Sequence, residues 1–93
     1  MKSLQAHITE SFKDGLLKYN FEALPADWRK FADKCQTIGL QHALDGDDEL
    51  IHNGKVTVAR YDVEDMKVYT DLTKKEFFDV ALRQNFSKVK TML

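Results

Sequence analysis

Apolar residues at Leu4, Ile8, Phe12, Leu16 and Tyr19 recur every three or four positions behind Ser3, a residue type that caps helices, and so predict a first helix. Asp14-Gly15 weakens it, because an interior glycine costs about 1 kcal/mol relative to alanine, and offers a break before Leu16. A second helix is predicted from Pro25, whose missing N–H is tolerated in a first turn, with Asp27 near the positive helix end. Its apolar stripe runs through Trp28, Phe31, Ala32, Cys35, Ile38, Gly39 and His42, and Asp45-Gly46 supplies a stop. The two helices would form an antiparallel hairpin.

Beyond residue 48 the period changes from helical to alternating. Asn53-Gly54 supplies the two positive-φ residues of a two-residue turn between Glu49-Leu50-Ile51-His52 and Lys55-Val56-Thr57-Val58-Ala59-Arg60-Tyr61. Asp62-Val63-Glu64-Asp65 reads as a second turn, and Met66 to Leu72 alternates as a third strand. Thr73-Lys74-Lys75-Glu76 matches a capping box and opens a third helix with Phe77, Phe78, Ala81 and Leu82 apolar, ending near Asn85. Residues Phe86 to Leu93 alternate again, as a last strand or a loose tail.

The strands disagree about which sheet face is core. Ile51, Val56 and Val58 favour one face, whereas Leu50, Ala59, Tyr61, Met66 and Val68 favour the other, and one bulge near Asp62–Asp65 would reconcile them. The architecture expected is α+β: two N-terminal helices, a three-stranded antiparallel meander, a third helix and an optional last strand, in one domain spanning 1–93.

Composition narrows the class without naming a function. A chain of 93 residues, 43% apolar and 31% charged, builds one modest core and leaves little room for a large enzyme cleft. It contains no run of about 18 apolar residues, its start is polar, and it has the single Cys35, so a cytoplasmic protein with no membrane segment is expected. The net charge of −1 conceals +1 over residues 1–44, −5 over 45–72 and +3 over 73–93. Such a block bears on partners and steering, not on fold.

Three constellations invite chemistry. If Val56 and Val58 join Met66 and Val68 in the core, the other sheet face shows Lys55, Thr57, Tyr61, Lys67 and Tyr69, where rings could stack bases and ammonium groups meet phosphates. Asp45-Gly46-Asp47-Asp48-Glu49, with or without His42, could hold a hard cation, yet an EF-hand alignment puts Leu50 where glycine belongs and Val56 where glutamate belongs. Cys35 would need an adjacent histidine such as His7 to act as a nucleophile, and its place on the apolar stripe favours an inert buried thiol. No phosphate-cradling loop, nucleophile elbow or metal-protease motif occurs.

The function expected is therefore non-catalytic binding to another protein or protein complex, with a homodimer left open, and neither cofactor nor metal. Asp45, Asp47, Asp48 and Glu49 would steer the partner, and Trp28, Tyr61 and Tyr69 would anchor it, although Trp28 equally suits closure of the core. Size and the absence of motifs suit a regulator or inhibitor of a larger assembly, of the kind that phages and other mobile elements encode, anti-CRISPR inhibitors among them. The alternative is a nucleic-acid-binding module using Lys55, Lys67, Lys74, Lys75, Arg83, Lys88 and Lys90, which gains if these form a stripe clear of the acidic block.

Overall fold

The computed structural model describes residues 17–92. Their order is β1 (Tyr19–Glu22), α1 (Pro25–Thr37), β2 (Gln41–Asp45), β3 (Asp48–His52), β4 (Thr57–Asp62), β5 (Lys67–Thr70), α2 (Lys74–Arg83) and α3 (Ser87–Thr91). The strands form one antiparallel sheet in the order β1-β5-β4-β3-β2. The α+β class holds, but five strands replace the three-stranded meander. The helix predicted from Ser3 lies outside the described residues except at its end, where Tyr19 opens a strand. Tyr19 and Phe21 alternate with Asn20 and Glu22, and pairing with β5 selects that period of two over the helical one.

α1 starts on Pro25 as expected and ends sooner than expected. Gly39 adopts φ +97°, its N–H donates to the Gln36 carbonyl, and the Leu40 N–H donates to the Cys35 carbonyl. This is the helix-terminating pair of bonds for which a glycine just past the last turn is suited. Gly39 therefore stops the helix instead of packing within its stripe. His42 falls in β2, and Gly46, at φ +65°, joins β2 to β3 through a two-residue turn.

The predicted two-residue turn at Asn53-Gly54 is a wider loop. His52 pairs with Thr57, and the Asn53 side chain accepts hydrogen bonds from the Lys55 and Val56 N–H groups at 2.9 Å each. Only Gly54 of the two turn residues takes a positive φ. The change of sheet parity sits here, between Ile51/His52 and Thr57/Ala59, not at Asp62–Asp65. Val58 is the extra residue of this bulge and is fully buried; its carbonyl accepts a 2.8 Å hydrogen bond from the Thr70 hydroxyl.

The three described helices pack on the face bearing Ile51, Ala59, Tyr61 and Val68. Trp28, Phe31 and Cys35 of α1 meet Phe77, Val80 and Ala81 of α2, and Val89 of α3 joins them. Phe31 and Phe77 lie 4.4 Å apart between ring centroids, and each fully buried ring contributes on the order of 1.5–3 kcal/mol. The capping box of α2 is formed as predicted, with the Thr73 hydroxyl accepting from Glu76 N–H and the Glu76 carboxylate accepting from Thr73 N–H. Residues 87–91 are the short helix α3, not a strand: the Lys90 N–H donates to the Phe86 carbonyl at 2.8 Å, four residues back, and the alternating exposure of Lys88, Val89 and Lys90 arises because this single turn buries only Val89.

Candidate functional site

Antiparallel register decides which charges meet. Asp45 pairs with Asp48 across one hairpin, Asp62 pairs with Lys67 across the other, and Glu22 pairs with Lys67 on the far side of β5. The β2–β3 turn, the β4–β5 turn and the passage from β1 into α1 therefore share one end of the sheet. Asp45, Asp47, Asp48, Asp62, Glu64 and Asp65 gather there.

These carboxylates do different work. Arg60 Nη2 lies 2.6 Å from Asp48 Oδ2 and 3.0 Å from Asp45 Oδ2, so one half-buried guanidinium ties both ends of the β2–β3 turn. Its Nη1 is buried and without a hydrogen-bond partner. Asp62 accepts hydrogen bonds from Glu64 N–H and Asp65 N–H at 3.0 and 3.1 Å, which shapes the β4–β5 turn. Asp47, Glu64 and Asp65 remain exposed, and no ion pair among the described residues uses them.

Glu49 faces the helices. Its Oε1 accepts from Trp28 Nε1 and from His42 Nε2, each at 2.8 Å. Burial pushes this carboxyl up, but the hydrogen bonds from His42 and Trp28 and the charges of His42 and Arg29 outweigh it and hold the group below the usual carboxylate range. Glu49 thus braces α1 against β2 and β3 and is only partly available to a partner.

Two of the expected aromatic anchors are core residues. Trp28 and Tyr61 are 2% and 1% exposed and stack at 5.1 Å with planes 10° apart. The Tyr61 hydroxyl donates to the Ala23 carbonyl at 2.7 Å, and burial, followed by the charges of Glu49, Asp27 and Asp62, pushes its pKa up. Tyr69 stands opposite Arg60, on the face away from the helices, and is half-buried. The basic and aromatic sheet face is accordingly divided: Tyr61 is buried on the helix side, whereas Lys67 and Tyr69 point the other way, and Thr57, paired with His52, is buried as well.

The basic residues form no stripe clear of the acids. Lys55 lies in the β3–β4 loop at the opposite end of the sheet from Lys67, which faces Asp62. Lys75 and Arg83 flank Asp79 at 3.3 and 3.8 Å on α2. Lys74, Lys88 and Lys90 are exposed.

Cys35 is fully buried, and burial pushes its thiol up to about 12, which suppresses the thiolate a nucleophile needs. The His7 half of that pairing lies outside the described residues. Among the described residues no group of three or more His, Cys, Asp or Glu side chains could hold a metal ion, and no helix is long and apolar enough to cross a membrane. His42 turns to Glu49 instead of joining the Asp45–Asp48 turn.

Sequence reasoning did not anticipate a groove at this same end. About 350 Å³ in volume, it is lined by the apolar Ala23, Leu24, Met66 and Phe78 and by the charged Glu22, Asp27, Asp65 and Lys74. The signal available was an exposed leucine before Pro25 and a methionine in a turn. The class defined by this geometry is a small α+β domain with helices on one face of a five-stranded antiparallel sheet and a carboxylate-rich end. Compared with known proteins, the chain matches no family, no curated protein and no solved structure.

Proposed function

We propose that this protein acts by binding another protein through the acidic end of its sheet, as a regulator or inhibitor of a larger assembly. The observation that carries the reading is the register: it brings two hairpin turns to one end of the sheet and leaves Asp47, Glu64 and Asp65 exposed, while Arg60 pairs with Asp45 and Asp48 and offsets only one of their two charges. A surface of this kind accelerates and orients encounter with a basic partner. Trp28 and Tyr61 support it from within by fixing the α1–sheet contact, and Glu49 links that contact to the turn.

The test compares wild type with Asp47→Lys/Glu64→Lys as bait in cell lysate. Both side chains are exposed and form no ion pair among the described residues, and the Asp62 turn uses the Glu64 backbone N–H rather than its carboxylate, so the variant should melt like wild type. Loss of the wild-type partner supports the reading, and unchanged capture removes the acidic end from it. Binding to mixed-sequence nucleic acid that weakens steeply with salt and fails in Lys88→Glu/Lys90→Glu would replace it with the nucleic-acid alternative.

A further inference from the structure

The groove at the acidic end departs from local preference at two positions. Leu24 occupies the cap of α1 without a side-chain hydrogen bond and is 62% exposed. Serine or aspartate there would favour the helix by about 1 kcal/mol. Met66 holds φ +53° and is 43% exposed, in a backbone region where glycine is far cheaper. Both departures place an apolar side chain at the mouth of one cavity, held in place by the 2.9 Å hydrogen bond from Ala23 N–H to the Met66 carbonyl.

The rim has a definite charge. Glu22, Asp27 and Asp65 line the groove beside its apolar residues against the single Lys74, and no ion pair among the described residues uses any of the three carboxylates. At about 350 Å³ the groove has room for one or two side chains.

Resting on the protein-binding reading above, we propose that this groove receives a peptide segment of the partner in which basic residues flank an apolar side chain. The apolar side chain fills the space between Leu24, Met66 and Phe78, and its basic neighbours meet Glu22, Asp27 and Asp65. The local costs at Leu24 and Met66 are then accounted for by contact with that segment, since departures from local preference concentrate where a surface is used.

The full chain, isotopically labelled, is titrated with acetyl-Gly-Arg-Leu-Arg-Gly-amide and with acetyl-Gly-Glu-Leu-Glu-Gly-amide while amide shifts are followed by NMR. The basic peptide is expected to shift amides between Glu22 and Asp27 and around Asp65–Met66, less strongly as salt rises, and the acidic peptide to shift none of them. Leu24→Ser/Met66→Gly satisfies both local preferences, so its melting temperature should equal or exceed that of wild type. Its peptide affinity should fall about tenfold or more, as for loss of an apolar anchor. Equal response to both peptides, shifts confined to other regions, or undiminished affinity in this variant would overturn the proposal. Lysate capture separates the two readings. Loss in Asp47→Lys/Glu64→Lys but retention in Leu24→Ser/Met66→Gly discards the groove and keeps the acidic end, whereas retention in both discards both.

Discussion

The helix-facing side of the sheet and its acidic end use their candidate residues in opposite ways. On the helix side, rings that suit a binding surface, Trp28 and Tyr61, are stacked and buried, and their polar atoms are satisfied inside by Glu49 and the Ala23 carbonyl. At the acidic end, carboxylates from two separate turns converge, and only some are neutralised. The comparison teaches that residue type alone does not assign a side chain to core or surface. In a domain this small, large rings are drawn into the interior because few other residues can fill it.

Breaking the helix side should have the largest effect. Phe77→Ala removes a fully buried ring that contacts Phe21, Trp28, Phe31 and Phe78, and should cost about 3–5 kcal/mol in urea unfolding, enough to threaten a domain of ordinary stability. Thr70→Val keeps the shape but leaves the bulged Val58 carbonyl without its donor, and should cost about 1–3 kcal/mol.

Glu49 lies where the two regions join, and its effect should depend on pH. Its folded pKa is depressed, so the carboxylate contributes stability above its unfolded pKa, and that contribution is lost as pH falls through the folded value. In Glu49→Gln the stability difference from wild type should therefore be fully present at neutral pH and shrink in acid, as read from urea midpoints at several pH values. A difference independent of pH would detach Glu49 from the charge of this site. At the acidic end itself, Asp47→Lys should change stability by no more than about 0.5 kcal/mol in the same measurement, because its side chain is exposed and makes no ion pair among the described residues.

The parts legible in the sequence were those whose signal is local. Pro25 with Asp27 marks the start of α1, and Thr73 with Glu76 marks the start of α2, because capping depends on residues a few positions apart. β2 escaped notice because Gln41 to Asp45 contains no β-branched residue and pairs on one side only, so its strand state depends on β3. Likewise, Gly39 looks like a close-packing glycine until its positive φ is seen. The acidic block was visible as a run of charge. Its union with Asp62, Glu64 and Asp65 was not, since that follows from strand register, and the groove needs Leu24 and Met66, far apart in the sequence, brought together by the pairing of β1 with β5.

The placement of β1 bears on how the chain reaches this state. Tyr19 pairs with Thr70, roughly fifty residues later, whereas every other ladder joins neighbours in sequence. Closing so long a loop carries an entropic penalty that contacts within the β2–β5 meander avoid. A chain emerging from the ribosome can pair β2, β3 and β4 in turn, but Phe21 has no strand to lie against until Thr70 has been synthesised. The first of the described strands is therefore the last of them to be seated, and during that interval an unpaired, aromatic edge is available to other chains.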